Sequence, residues 1–362
     1  MTWIGLSDRN GSTFSASGIG AEGPMVPPNP DAILARGSIL IETRLSPDGG
    51  PQTLLSCSKA SPWPAAFSVQ AIPGGGVAVV AGQPGRDLFH MALSDASVGR
   101  ADVLRITYSW DAPARCGRLA LERPESGYVS LAEAQSPPPL PLALLRAMVR
   151  PTDLRRVDAD LIYFAISDEI EPVGPMPAMT EATPIRTARG TMPLRCLRRG
   201  DVVETLHSGL QPVLDVPGRT VPARGSFRPV RLRAPYFGLT EDIVVAPEQR
   251  LLLSGSDVEY LFGREGVLVA ARHLATGSAA LYETDQTLVR YSQPLLPAHE
   301  TLNCAGTSLE SLYIGRLRRK PAQLAASLLS GYGRATLPEH THASYRLLKP
   351  YEAITLVEMR AA

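Results

Sequence analysis

In Leu194-Arg195-Cys196-Leu197-Arg198-Arg199-Gly200-Asp201-Val202-Val203-Glu204-Thr205, a short helical turn gives way to a strand. Leu194 and Leu197 are spaced to face inward together, and Gly200 is placed to supply a left-handed cap. Ser208-Gly209 then reads as a turn, followed by the strand Gln211 to Val216. More short strands are expected at Val230–Arg233, Ile243–Val245, Arg250–Leu253 and Val267–Val269, with a short helix or loop near Leu274. The segment Glu169 to Glu181 carries Pro172, Gly174, Pro175 and Pro177 and reads as a linker.

Upstream of that linker the pattern alternates with period two. In Ser38 to Leu45, the residues Ile39, Ile41, Thr43 and Leu45 share one face. Phe67–Ile72 and Val77–Val80 read as a hairpin across Pro73-Gly74-Gly75-Gly76. Val103–Trp110, Gly117–Glu122 and Asp160–Ile166 complete the set. Pro137-Pro138-Pro139-Leu140-Pro141 is expected to be an extended loop, because proline cannot donate to a ladder. Leu142 to Val149 is expected to be a short helix. Successive half-buried strands favour a β-sandwich, and the whole chain reads as all-β.

The 362 residues suit two domains, and the 44% hydrophobic and 20% charged composition is ordinary for globular chains. A formal net charge of +1 gives no bulk field that would select nucleic acid or an anionic membrane. The run Arg316-Leu317-Arg318-Arg319-Lys320 is the one local exception; it could touch phosphate, but such a run is more often a solvated surface segment. No apolar stretch is long enough for a membrane-spanning helix. Met1 to Asp8 lacks the basic and apolar regions of a secretion signal, which leaves a cytoplasmic location or a signal-independent export route.

Cys57, Cys116, Cys196 and Cys304 are scattered with no C-x-x-C pair, so neither a zinc site nor a redox dithiol is expected. A Cys57–Cys116 disulfide is allowed but not demanded. Cys196 and Cys304 read as packing residues. His340 and His342 read as part of a polar loop rather than a chelate. No metal and no other cofactor is expected. Serine-hydrolase elbows, zinc-protease helices and phosphate-binding glycine loops are absent from the sequence.

Several fragments of the second half occur in the order seen in bacterial Hedgehog/intein (Hint) domains. They are Thr183-Pro184-Ile185-Arg186-Thr187-Ala188-Arg189-Gly190, the Leu197–Val203 element and Ser208–Val213. Val244-Val245-Ala246-Pro247-Glu248-Gln249-Arg250-Leu251-Leu252 and Val267–Leu274 follow, and then His299-Glu300 and Gly306–Ser311. Leu347 to Ala353 is similar to the tail that follows this family's Hint domain. The first half resembles concanavalin A-like (LamG-type) jelly-roll domains in its strand pattern and in Leu104–Asp111. The division these resemblances imply is a sandwich over 1–168 and a linker over 169–181. A Hint-type β horseshoe over 178–315 follows, with a partly helical extension over 316–362 whose helix spans Ala322 to Leu329.

The Hint resemblance implies self-cleavage chemistry and, in this chain, its loss. A cysteine at the first position attacks the preceding carbonyl. A histidine in a later turn works on the scissile amide, and a threonine with backbone donors holds the oxyanion. By the family register the nucleophile position is Ala178, the threonine is Thr183 and the histidine position is Gln249. Gln293, in Tyr291-Ser292-Gln293-Pro294, stands where relatives often carry histidine. Thr180 is the nearby hydroxyl, and His299 the remaining histidine. Thr180 reads as a linker residue and His299 as a structural, hydrogen-bonded group.

The expectation is therefore a Hint protein acting as a non-catalytic binding or structural module for a protein or glycan partner. Residual autoproteolysis near Ala178 is one alternative. The other is carbohydrate binding by the sandwich, where Trp63 in a Pro-Trp-Pro loop is the candidate platform. Asp87, Asp95 and Asp111 form no recognisable calcium cluster, and Trp110 reads as core.

Overall fold

A computed structural model describes residues 2–361 except 22–28, 30, 46–49, 62–63, 74, 83–87 and 95–102. Trp63, Asp87 and Asp95 lie outside the described residues. The chain divides into two compact units, Met1–Gly174 and Pro175–Ala362. Among the described residues no helix is long and apolar enough to cross a membrane.

The first unit is an antiparallel β-sandwich. One sheet has seven strands in the order Tyr128–Gln135, Cys116–Arg123, Leu104–Asp111, Arg36–Thr43, Leu161–Ser167, Trp3–Asp8, Gly11–Phe14. The other has five, Arg155–Val157, Gln52–Lys59, Ala65–Ala71, Val77–Gly82 and Leu88–Leu93. Alternation puts Ile39, Ile41, Ile106, Tyr108, Trp110, Leu119 and Leu121 on the inner face of the larger sheet. They meet Leu55, Phe67, Val69, Val77 and Val79 from the smaller one. Trp110 is fully buried, stacks on Tyr108 at 5.8 Å and donates its indole N–H to the Leu34 carbonyl. The opposite face carries polar side chains that are also buried. There the Arg105 Nε lies 2.9 Å from Glu42 Oε1, and an Nη lies 4.0 Å from Glu122. Burial opposes the Arg105 charge, but the two carboxylates more than offset it, so its pKa rises.

The helix Leu142–Val149 forms as expected and buries Leu144, Leu145, Met148 and Val149. The proline run before it is not wholly a loop, because Leu140–Pro141 pairs with Ile33–Leu34. A proline still offers its carbonyl, and a two-residue edge pairing leaves its missing N–H unneeded. The segment read as a linker is tied down at both ends. Ser38 Oγ donates to the Glu169 carbonyl and accepts from the Glu171 N–H, both at 2.8 Å. At the other end, Met179–Thr180 is a strand of the second unit.

The second unit is built on two sheets. The six-stranded one runs Gly218–Pro222, Leu288–Ser292, Met179–Thr180, Ile243–Val245, Val230–Leu232, Ala280–Tyr282. The larger one runs Gly190–Pro193, Pro184–Thr187, Val202–Thr205, Thr301–Cys304, Thr307–Glu310, Arg250–Ser254, Gly266–Ala270, Arg346–Leu347, and Gly209–Pro212 pairs with Val202–Thr205. The 3₁₀ turn Leu194–Cys196 buries Leu194, and Leu197 beside it is also buried. Gly200 (φ 88°) is not its cap. It sits in the following turn, where its N–H reaches the Val213 carbonyl at 2.8 Å. The hairpin Thr301–Cys304/Thr307–Glu310 turns on Ala305 and Gly306, both left-handed (φ 51° and 88°), the conformation a two-residue loop of this twist requires. This hairpin delivers Glu310 to the site below.

The extension departs from expectation in two places. Its first helix is only Pro321–Ala325, because Ser327 bonds the Leu324 carbonyl with its hydroxyl and accepts the Leu329 N–H. A longer helix, Pro350–Ala361, buries Ala353 and Leu356 against the helices Ser256–Phe262 and Ala271–Leu274. Arg360 bonds Asp257 and the Ser254 carbonyl, which fixes the far end of that helix.

Candidate functional site

The residues singled out at 178, 249 and 293 converge. Ala178 is buried immediately before the strand Met179–Thr180, where Met179 pairs with both Val245 and Ser292. Its carbonyl accepts the Ala246 N–H at 2.7 Å. Its own N–H donates to Gln293 Oε1 at 3.1 Å. Gln293 Nε2 donates to Gln249 Oε1 at 3.2 Å and to the Glu310 carbonyl at 2.8 Å. Gln249, fully buried, donates through Nε2 to the carbonyls of Arg250 (3.0 Å) and Glu310 (3.3 Å). Every amide hydrogen of the two glutamines is thus engaged. Flipping either one would set donors against donors, so both orientations are fixed.

Thr180 and Thr183 form a separate pair. Thr180 Oγ1 donates to the Val244 carbonyl at 2.7 Å, so it accepts the Thr183 hydroxyl 3.4 Å away. The Thr183 N–H closes the turn onto the Thr180 carbonyl at 3.0 Å. Thr180 is therefore a strand residue rather than part of a linker.

His299 sits on the other side of Glu310. Its Nε2 lies 3.2 Å from Glu310 Oε2, which also faces Arg250 Nη1 at 3.3 Å. Its Nδ1 meets the Ser344 N–H at 3.2 Å and the Ser344 hydroxyl at 3.1 Å. A backbone N–H can only donate, so Nδ1 accepts and the ring proton rests on Nε2, facing the carboxylate. Ser344, His299 and Glu310 stand in the order of a hydrolase relay, yet the Ser344 hydroxyl has its shorter bond, 2.8 Å, to the His299 carbonyl. The Nδ1 lone pair is taken by the serine's own backbone. The arrangement clamps the extension onto the unit and leaves no base free for the hydroxyl. Glu310 joins the clamp to the glutamine network, its carbonyl serving one and its carboxylate the other.

His340 is buried, contrary to its reading as part of a polar loop. Its Nδ1 accepts the Ile314 N–H and its Nε2 donates to the Leu296 carbonyl at 3.1 Å. Burial lowers its pKa to about 4, against the opposing Leu296 bond, and the neighbouring His299 adds a smaller lowering. Cys304 is a core thiol whose pKa burial drives well up, whereas Cys196 is exposed rather than packed. Cys57 is buried and Cys116 exposed, and both are free thiols. Asp111 caps a turn by accepting the Ala114 N–H. Among the described residues no group of three or more His, Cys, Asp or Glu is placed to hold a metal ion.

Residues 177–316 match the family model of the Hint domain, a span that begins one residue before Ala178. The second unit contains a Hint domain. A bacterial intein-like domain from Clostridium thermocellum is similar to it at 15% identity and a TM-score of 0.29, covering 38% of this chain and 99% of that one. The CBM40 of a Ruminococcus gnavus IT-sialidase, bound to α2,3-sialyllactose, is similar at 13% identity and a TM-score of 0.28, covering 37% of this chain and 76% of that one. The LG1–3 region of the laminin α2 chain is similar at 9% identity and a TM-score of 0.26, covering 86% of this chain and 56% of that one. No curated protein matches the chain.

Of the vestigial-pocket positions Ala178, Thr183, Gln249 and His299, the structure links Ala178 to Gln249 through Gln293. Thr183 touches Thr180, and His299 is separated from the glutamines by the Glu310 backbone. Glu310 and Ser344 were missed. Glu310 acts on the glutamines through its carbonyl, which leaves no trace in residue type. Ser344 follows His299 by 45 residues, and nothing local in the sequence pairs them.

Proposed function

We propose that this Hint domain no longer cuts its own chain and serves as a non-catalytic binding or structural module for a protein or glycan partner. The observation that carries this reading is the bond from the Ala178 N–H to Gln293 Oε1. That nitrogen belongs to the Pro177–Ala178 peptide, the bond a Hint nucleophile would attack. Donating its N–H to an acceptor deepens delocalisation of the nitrogen lone pair into the Pro177 carbonyl. Acyl transfer needs the opposite, a proton delivered to that nitrogen. An amide cannot deliver one near neutral pH, and the alanine methyl cannot attack. Thr180, the remaining hydroxyl, already gives its proton to a backbone carbonyl and has no base beside it.

The test is the intact mass of the full chain held overnight at neutral pH with and without excess thiol. An uncut chain in both is expected, and a thiol-dependent fragment ending at Pro177 overturns the reading. A variant combining Ala178→Cys, Gln249→His and Gln293→His is expected to restore thiol-dependent cleavage there, which would locate the loss at these three positions.

A further inference from the structure

The Hint pocket makes no use of the basic run at Arg316 to Lys320, which the structure folds into something more specific than a solvated segment. Leu317 is buried with Leu295, Leu312, Ile314, Leu324, Leu329 and Leu337 in a small core of its own. That core fixes the 3₁₀ turn Leu317–Arg319 against the loop carrying Arg334 and Glu339. Between them lies a cleft of about 380 Å³ lined by Arg318, Arg319, Arg334, Ala335 and Glu339.

The guanidinium groups are held from behind. Arg334 Nε donates to the Arg318 carbonyl at 3.0 Å. Arg318 Nε bonds Glu339 Oε1 at 2.6 Å, and its Nη1 reaches the Leu337 carbonyl at 3.4 Å. Arg319 grips both Glu339 oxygens at 2.7 Å. Two of the three cations therefore share one carboxylate, and the third, Arg334, has no carboxylate partner among the described residues. Glu339 stays ionised, since the bonds from Arg319 and Arg318 lower its pKa to about 2. The excess is two positive charges, presented on planar forks that match a tetrahedral oxyanion.

We propose that this cleft binds a phosphate dianion, either free or as the monoester head of a larger molecule. A dianion would neutralise the excess, and the unused Nη groups of Arg334 and Arg319 would meet its oxygens. The small net charge of the chain and the single, closed cluster favour one phosphate over a polyanionic strand.

The test is calorimetric titration of the full chain with inorganic phosphate at low ionic strength, alongside Arg334→Gln and Arg319→Gln. Binding at millimolar concentration or tighter is expected. Each substitution should weaken it by about tenfold or more, the scale of one hydrogen bond to a charged group. Thermal unfolding without phosphate should stay unchanged, and an exposed cation elsewhere, Arg233→Gln, should bind normally. Absence of binding up to tens of millimolar, or equal binding by Arg334→Gln and the natural chain, overturns the proposal. Co-sedimentation with phosphatidic acid vesicles but not phosphatidylcholine vesicles, lost in Arg334→Gln, would make the phosphate a lipid head group. Binding of free phosphate without such sedimentation would make it a soluble ligand.

Discussion

Two buried polar networks, one in each unit, solve the same problem in different ways. In the sandwich, Arg105 is ionised beside Glu42 and Glu122, all three almost wholly buried. In the Hint domain, Gln249 and Gln293 are equally buried but neutral, and they close their hydrogen bonds on backbone carbonyls and on each other. A buried charge depends on its counter-charge, so the first network is expensive to break. The second depends only on completed hydrogen bonds. Amides of suitable length thus fill the pocket with their hydrogen bonds closed and no charge buried.

The sharpest way to break this comparison is Glu42→Gln. It removes the carboxylate bonded to Arg105 and leaves Glu122 as the counter-charge 4.0 Å away. A loss of about 3–5 kcal/mol is expected, read from the urea midpoint of the sandwich transition. A loss below about 1 kcal/mol would mean the charge is not what the network depends on.

The next effect comes from acid. His340 titrates near 6.5 when unfolded and about 4 when folded. The unfolded chain binds the extra proton, so stability is intact above the unfolded pKa and falls as pH drops from about 6.5 to 4. The shift corresponds to about 3 kcal/mol. His273, lowered to about 4 by burial and then by Arg272, adds a smaller loss of the same sign because it is partly exposed. Urea unfolding of the second unit at pH 7 and pH 4.5 should show the loss, and His340→Gln should flatten much of it. A pH-independent midpoint would contradict the burial of these rings.

The smallest effect is expected from Gln293→Leu, which strands the Ala178 N–H and Gln249 Oε1 without charging anything. About 2 kcal/mol is expected, the cost of unpaired buried amide groups. A loss as large as that of Glu42→Gln would erase the distinction between the two networks.

The alternating runs at Arg36–Thr43 and Leu104–Asp111 showed the sandwich because one face of each strand had to be apolar. The strand Trp3–Asp8 was not legible, since Trp3, Ile4, Leu6 and Ser7 are all buried and the run does not alternate. Strand order is set by long-range pairing and was likewise out of reach. The glutamine pocket was legible only through the register supplied by the Hint resemblance. The Arg334 cleft was not, because the loop that closes it has no periodic signal. The helix Pro350–Ala361 had a signal that went unread, a proline at its first turn followed by Ala353, Leu356 and Val357 at helical spacing.

The pairing of Arg346–Leu347 alongside Gly266–Ala270, the one parallel pairing in its sheet, has a consequence for self-association. Without it the sheet would end on Gly266-Val267-Leu268-Val269-Ala270, an uncharged and fully buried run. An exposed edge of that composition invites pairing with other chains. The two-residue strand, tied to Glu352 through Arg346, works as a gatekeeper, and a chain shortened before it would be prone to aggregate even with its core complete.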